Sequence, residues 1–407
     1  YDQVDPKVYV YAPEGPDVQD HLNRIENFNN REENPTSWEV EVYTGGDFLE
    51  RMLREKPGNV VVISGNNAKK TEYIFESVNA GLNVLADKPM VIEPEEFSLL
   101  ERAFTVAEEN DVLLYDIMTE RYSITTLLQK ELSQIQEVFG ELKPGTPEEP
   151  SITKESVHHF FKYVSGNPLK RPAWFFDVHQ QGEGIVDVTT HLVDLIQWEA
   201  FPEVVLEKSD VEIVSADRWT TDLNAEQFER ITLLDEFPEY LAKDVEDGIL
   251  KVYSNGEFTY KLKDVYGKVS VIWNYEAPEG AGDTHYSIMR GTASNLIIKQ
   301  GAEQNYDPTL YIEAINEDME SFEERLEKAI SKDLANEYPG LKLEQVDGKT
   351  WMVEIPEKYK VGHEAHFAQV TEKYLRYLEE GKLPEWEVPN MIVKYYTIAQ
   401  AMRAATK

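Results

Sequence analysis

Two short stretches carry side chains whose types and spacing suit chemistry. The first is Ala86-Asp87-Lys88-Pro89, where an ammonium stands between a carboxylate and a conformationally rigid proline. The second runs Gly182-Glu183-Gly184-Ile185-Val186-Asp187-Val188-Thr189-Thr190-His191-Leu192-Val193-Asp194. Helical geometry from about Ile185 puts Asp187 and His191 one turn apart, about 5–6 Å between Cβ atoms, with Asp194 on the next turn. The opposite face (Val186, Val193, Ile196) is apolar and anchors such a helix, leaving a polar stripe of Asp187, His191 and Asp194. Imidazole titrates near neutral pH and is the natural proton acceptor in that stripe. An isolated histidine on such a helix is more often a hydrogen-bonded core residue, so the weight of the reading rests on the two stretches occurring together.

The elements around them are legible from periodicity. Val8 to Tyr11 reads as a strand, a Pro/Gly turn follows, and Asp17 to Phe28 is helical. Trp38 to Tyr43 alternates like a strand, and Asp47 is placed to cap the helix that starts at Phe48. Asn59 to Ser64 is a continuous apolar run of the kind buried in a parallel sheet. A helix over Lys70 to Ala80, stopped by Gly81, leads to a strand at Asn83 to Ala86, a helix over Pro94 to Asn110 and a strand at Val112 to Tyr115. Repeated strand–helix units imply right-handed crossovers and an α/β, doubly wound, Rossmann-like domain over residues 1–121. Lys88 then sits at the carboxyl end of a strand, where such sheets bind ligands.

From about residue 122 long alternating segments predominate: Val211 to Val214, Leu250 to Tyr253, Phe258 to Leu262, Lys268 to Trp273, Tyr286 to Met289 and Leu296 to Lys299. They predict an α+β second domain over 122–407 with a large, mainly antiparallel open sheet, in which Asn255-Gly256 reads as a hairpin turn. Helices are expected over Asp318 to Leu334, Glu364 to Glu379 and Pro389 to Ala405.

The spacing of Gly65-Asn66-Asn67, Lys70, Ala80-Gly81 and Asp87-Lys88-Pro89, followed about a hundred residues later by Asp187-x-x-x-His191-x-x-Asp194, resembles the glucose–fructose oxidoreductase, inositol dehydrogenase and MocA family. Asp87 stands for the family's usual Glu, Asn66 for its Pro, Lys70 for a frequent His, and Thr189 for a frequent Gly. Glu120-Arg121-Tyr122 resembles the family's Arg-aromatic pair between domains, Val138-Phe139-Gly140 its following turn, and Met289-Arg290-Gly291-Thr292 its sheet hairpin, so the likeness spans most of the chain.

The resemblance implies an NAD- or NADP-dependent oxidoreductase, with NAD favoured, acting on a sugar, sugar derivative or cyclitol. Hydride leaves a carbinol carbon for the nicotinamide while the hydroxyl proton goes to a base, the role implied for His191. Asp187 orients the imidazole or binds a neighbouring hydroxyl, and Lys88 polarises the reacting oxygen, making Lys88, Asp187 and His191 the expected catalytic set. Ser64, Gly65, Asn66, Asn67, Asp87, Lys88 and Glu14 are the expected cofactor contacts. Glu120, Arg121, Trp174, Asp177 and Asp187 are the expected substrate contacts, Trp174 as an aromatic face for a sugar ring. The same resemblance also admits a redox-neutral, NAD-dependent glycosidase or lyase, and a sugar-binding pseudoenzyme without cofactor is the non-enzymatic alternative.

Composition narrows the partners. With 76 Asp plus Glu against 40 Lys plus Arg, the formal charge is −36, which repels nucleic acid and anionic membranes and favours a neutral sugar or polyol unless the site is locally basic. The chain contains no cysteine, so disulfides, thiolate metal ligands and thiol nucleophiles are excluded. No apolar run reaches the roughly 20 residues of a membrane span. His363-Glu364-Ala365-His366 has i, i+3 spacing, not the i, i+4 of zinc proteases, and even with His158-His159 no metal is expected. The open sheet is an expected homodimer or tetramer surface.

The departure from the family pattern is at the start. No strand leading into G-x-G-x-x-G precedes the first helix, and Ala12-Pro13 follow the first strand where an acidic residue is expected, leaving Glu14. Loss of a central strand would leave unpaired ladder groups on both neighbours, so residues upstream of Tyr1 are the expected source of that strand and of the phosphate loop. The compartment stays open: cytoplasmic by default, exported if a signal has been removed. Residues 307–362 are an enlargement of the second domain relative to short family members.

Overall fold

The computed structural model describes residues 3–164, 167–315 and 318–407. The first unit alternates β1 (Lys7–Ala12), α1 (Pro16–Asn30), β2 (Glu39–Thr44), α2 (Phe48–Glu55), β3 (Val60–Ile63), α3 (Lys70–Asn79), β4 (Asn83–Asp87), α4 (Phe97–Glu109) and β5 (Leu114–Ile117). Pro16 opens α1 at a position where its fixed φ suits the helix and its missing N–H costs nothing. Asp47 does occupy the residue before α2, but its carboxylate accepts from the Tyr43 hydroxyl and makes no cap hydrogen bond, which corrects the expected cap.

All strand pairs in this unit are parallel, yet they form two sheets, β1-β2 and β3-β4-β5. A doubly wound sheet has its central strand between β1 and β3. The edge that would face it is open, and Val62 in the middle of the apolar run Val60–Ile63 is 62% exposed.

The second unit begins with α5 (Ile124–Ser133), α6 (Gln136–Phe139), β6 (Ile152–Phe161), a small hairpin of β7 (Tyr163–Val164) and β8 (Asn167–Pro168), α7 (Val178–Gln181) and α8 (Thr189–Ala200). It continues with β9 (Val211–Leu223), α9 (Ala225–Thr232), β10 (Val245–Glu246), β11 (Ile249–Leu262), β12 (Val265–Glu276), β13 (Thr284–Arg290), β14 (Ser294–Gln300), β15 (Thr309–Ala314), α10 (Met319–Lys328), β16 (Lys342–Asp347) and β17 (Thr350–Glu354). Two helices, α11 (His363–Glu380) and α12 (Glu387–Ala405), close the chain.

Among the described residues ten strands share one sheet, with β9 paired to β11 and the order β10-β11-β12-β6-β13-β14-β15-β17-β16. Only β12–β6 is parallel in it. Segment 307–362 adds β15, β16 and β17 to one edge, with α10 packed nearby through buried Phe322 and Leu326.

Asn255-Gly256 is not a turn. The two segments on either side of it form one strand, β11, irregular between Val252 and Asn255, and the Asn255 side chain fills the break by donating to the Trp219 carbonyl and accepting from the Trp273 N–H. The turn falls instead at Lys263, whose φ is +54°. The turn-like stretch Val138-Phe139-Gly140 and the hairpin at Gly291 lie against each other: a Cβ on Gly291 would fall 2.2 Å from the Phe139 carbonyl oxygen.

Apolar packing is in two bodies. One is built on the large sheet and α8, with Phe160, Phe176, Phe228, Phe258 and Trp273 in contact. The other fills the β3-β4-β5 sheet with Ile74, Leu85, Phe104 and Tyr115, together with Tyr374, Met391 and Tyr395 from α11 and α12. The chain end thus returns to the first unit. Each such side chain contributes about 1.5–3 kcal/mol of transfer free energy when fully buried.

Candidate active site

Lys88 leaves the carboxyl end of β4 through a cis Lys88–Pro89 peptide, and the Asp87 carboxylate accepts the Lys88 backbone N–H at 3.0 Å. Its ammonium donates to Asp187 Oδ1 at 2.7 Å, both groups being largely buried. Burial disfavours the charge, but Asp187 beside it outweighs that and holds the Lys88 pKa above its ordinary 10.5. Behind it Lys70, almost wholly buried, donates to the Asp87 carbonyl at 3.0 Å; burial, with the Lys88 charge adding to it, pulls its pKa down to about 8.

The expected helix from Ile185 starts only at Thr189. Residues 184–188 form a turn, so Asp187 precedes the helix and His191 stands in its first turn. Gly184 sets this approach: a Cβ there would lie 1.7 Å from the Ser254 carbonyl oxygen, so only glycine lets the loop close on the irregular stretch of β11. The loop is also stitched to the first unit. Asp187 Oδ2 accepts from Gln181 Nε2 at 3.0 Å, the Gln181 carbonyl accepts from Asn67 Nδ2 at 2.7 Å, and Asn66 Nδ2 donates to Gln180 Oε1 at 2.7 Å. Asn67, Gln181, Asp187 and Lys88 therefore form one hydrogen-bonded chain across the junction, with Asn66 joined to Gln180 beside it.

His191 Nδ1 is shielded from solvent and has no hydrogen-bond partner among the described residues. Burial, reinforced by the Lys88 charge and opposed by Asp194, holds the imidazole pKa well below the ordinary 6.5. A neutral imidazole with an unspent nitrogen thus stands beside a fixed ammonium.

Asp194 does not join the stripe. Both of its oxygens are taken by Arg121, at 2.6 and 2.7 Å, and Lys394 adds a contact at 2.8 Å. Arg121 also meets Glu387 at 3.2 Å, and Lys394 meets Asp116 at 2.7 Å. Arg121 is 6% exposed, so its expected place among substrate contacts is withdrawn: its guanidinium is consumed in a buried network joining β5, α8 and α12.

The other expected residues are placed as follows. Glu120 lies 3.8 Å from His363 Nδ1, and its charge acts on Lys88, which puts it at the rim. Trp174 donates its indole N–H to Asp17 Oδ2 at 2.8 Å and so ties the second unit to α1. Asp177 accepts the His179 N–H as the N-cap of α7 and is further held by Gln180 and Lys243. Burial would raise the Asp177 pKa, but those donors keep it below 3.8. The Asp177 carboxylate is thereby held by three partners at this junction, and the Trp174 indole N–H is committed there as well. Ser64, Gly65 and Glu14 are exposed in the loops after β3 and β1. Gln181 was missed; it has no local signal, since only the folded junction brings it to Asp187.

Two surface depressions, about 570 Å³ beside Gly140 and Arg325 and about 290 Å³ beside His285 and Lys299, border neither Lys88 nor His191. Among the described residues no group of three or more His, Asp or Glu is arranged to hold a metal ion, and no helix is long and apolar enough to cross a membrane. For a dinucleotide, the residues present fit the nicotinamide end: an orphaned imidazole nitrogen and an ammonium at the carboxyl ends of parallel strands. A glycine-rich pyrophosphate cradle is not among them.

Comparison with known proteins settles the family. Residues 18–116 match "Oxidoreductase family, NAD-binding Rossmann fold", and residues 128–406 match "Putative oxidoreductase C terminal domain". The chain belongs to the glucose–fructose oxidoreductase/inositol dehydrogenase/MocA family of oxidoreductases. It is similar to a solved "putative oxidoreductase" from Parabacteroides merdae ATCC 43184, with 57% identity over 99% of this chain and 92% of that one and a TM-score of 0.97. The same fold, at 13% identity each, is seen in an oxidoreductase structure from Thermotoga maritima (TM-score 0.58, covering 98% and 90%) and in levoglucosan dehydrogenase complexed with NADH and levoglucosan (TM-score 0.59, covering 98% and 87%). No curated protein matches. This family member has a Rossmann-type NAD-binding first domain and a mostly antiparallel second sheet, as the strand patterns imply.

Proposed function

We propose that this family member is an NAD-dependent dehydrogenase that oxidises a carbinol of a sugar, sugar derivative or cyclitol, with His191 as the base. The observation that carries the reading is the neutral, unpartnered His191 nitrogen beside the Lys88–Asp187 pair. A bound nicotinamide would supply the hydride acceptor. Lys88 stays protonated and donates to the reacting oxygen, favouring the charge that develops there as the O–H bond weakens. His191 takes the proton, and its low pKa keeps the base form populated below neutrality. Asp187, fixed by Gln181, orients the ammonium and shares the charge. The sugar complex of levoglucosan dehydrogenase supports this substrate class by analogy of fold.

The test is reduced-nicotinamide formation from NAD⁺ with a panel of sugars and cyclitols, using the full chain. His191→Ala is expected to lower turnover about a hundredfold or more with cofactor affinity little changed. Near-normal turnover in that variant refutes the assignment, and sugar consumption without reduced cofactor indicates redox-neutral lyase chemistry instead.

A further inference from the structure

A ring of contacts closes through Lys88. The Lys70 ammonium donates to the Asp87 carbonyl at 3.0 Å, the peptide bond there leads into Lys88, and the Lys88 ammonium donates to Asp187 Oδ1 at 2.7 Å. Asp187 Oδ2 accepts from Gln181 Nε2 at 3.0 Å, and the Gln181 carbonyl accepts from Asn67 Nδ2 at 2.7 Å. The Asn67 carbonyl accepts the Lys70 backbone N–H at 3.1 Å, so the chain across the junction returns to its start. Thr71, next in the first turn of α3, donates its hydroxyl to the Met90 carbonyl at 2.8 Å. Two consecutive side chains therefore hold both ends of the corner at 87–90 that carries Lys88.

Packing alone does not call for a lysine here. Lys70 and Thr71 are each 1% exposed, and an ammonium removed from water is costly. Of its three N–H donors, one is met by the Asp87 carbonyl, its one acceptor among the described residues. Burial, the largest influence, and the Lys88 charge bring the Lys70 pKa down to about 8, against the opposing pull of Asp87 and Asp187. Glu96, ahead of α4, lies on the Thr71 side. Lys88 is held above 10.5 by Asp187, so of the two lysines Lys70 loses its proton first as the pH rises.

We propose that Lys70 is a positioning residue for Lys88: its ammonium, with the Thr71 hydroxyl, clasps the corner at 87–90 and so holds the Lys88 ammonium against Asp187 and towards the reacting oxygen. The inference rests on the dehydrogenase reading, in which Lys88 donates to that oxygen. Buried as it is, Lys70 acts through Lys88 and not on the ligand. The clasp is strong while Lys70 is charged, because a charge-assisted hydrogen bond is about twice as strong as a neutral one. Loss of the proton loosens it, and a small displacement of Lys88 then costs turnover more than cofactor binding.

The experiment follows kcat and KM of the full chain across neutral and alkaline pH, with NAD⁺ and the best substrate of the sugar and cyclitol panel. Wild-type kcat is expected to fall about tenfold as the pH rises through about 8, with KM for NAD⁺ little changed. Lys70→Met should show the low kcat throughout and no fall near that pH. Thr71→Val, which keeps the shape but not the hydroxyl, should lower kcat and keep the fall. A wild-type profile without the alkaline fall, or a Lys70→Met variant that retains it or matches wild-type kcat at neutral pH, overturns the proposal. A second measurement needs neither turnover nor a folded Lys70→Met. In Thr71→Val no charge is removed, but the Lys88 ammonium recedes from His191, so the NMR transition of the imidazole moves up towards 6.5. In a Lys88→Met background the same substitution should move nothing. That pattern upholds the clasp even where no substrate is oxidised and the dehydrogenase reading fails; an imidazole transition unmoved by Thr71→Val defeats it.

Discussion

The two sides of α8 spend their charges in opposite ways. Towards α12, Asp194 gives both oxygens to Arg121 and one also to Lys394, and these cations complete themselves on Glu387 and Asp116. Three residues earlier, His191 has a shielded nitrogen with no partner, and Asp187 shares itself between Lys88 and Gln181. Saturation on one side fixes the angle at which the helix meets β5. The unsaturated side is where a ligand has something to bind. Two aspartates, Asp187 just before α8 and Asp194 within it, thus divide between site and frame according to whether the fold completes their hydrogen bonds with buried cations alone.

The largest effect that comparison predicts is on the saturated side. Asp194→Ala leaves Arg121 short of a carboxylate and Lys394 with Asp116 alone, in surroundings with almost no solvent, and a broken buried ion pair of this kind costs about 3–5 kcal/mol. Urea denaturation of the variant is the measurement. A loss under about 1 kcal/mol would show that water or rearrangement relieves the network and that the division drawn here is wrong. Burial works against ionisation of Asp194, but Arg121 and Lys394 hold its pKa well below 3.8. Its contribution is therefore present above that value and is lost only in strong acid.

The unsaturated side is expected to report itself through pH. The His191 pKa is depressed first by burial and then by Lys88, so the base form persists below the ordinary 6.5 and the acid limb of kcat/KM lies well under that value. Stability follows the same sign: the contribution of neutral His191 is complete above about 6.5 and falls as the pH drops towards the folded pKa. Lys88→Met removes the neighbouring charge, so the His191 transition moves upward, towards 6.5, whatever happens to turnover. An NMR titration of the imidazole checks this without requiring activity. A transition that does not move would place Lys88 too far away to assist the base.

How much of this the sequence carried depended on how local each cause was. Strand and helix periods of the first hundred residues and the Lys88-Pro89 corner are set by neighbours in the chain, and they reappear within two or three residues. The start of α8 was misjudged because Gly184 must pass Ser254, seventy residues away, before the helix can begin. Asn255-Gly256 has the chemistry of a turn, yet the pairing of β11 with β9 and β12 overrides it and turns the asparagine into a plug. Arg121 and Asp194 looked like site residues because their partners, Glu387 and Lys394, are some two hundred residues or more distant and nothing local announces them. Gln181 was invisible for the same reason, since its partner Asn67 lies 114 residues away.

The smallest effect concerns Trp174, an aromatic that by type could stack on a sugar ring. Its indole N–H is committed to Asp17 on α1, so in the division between frame and site it belongs to the frame. Trp174→Phe keeps the ring and removes that one hydrogen bond, for which a cost of about 0.5–1.5 kcal/mol is usual, near the lower end where water competes. The variant should melt slightly earlier while KM for the sugar stays as it was. Asp17→Asn, which still accepts the bond, should do less than Trp174→Phe to stability. If Trp174→Phe instead raises KM severalfold with the melting temperature unchanged, the ring faces the ligand and the frame on that side of the junction is narrower than the hydrogen bonds imply.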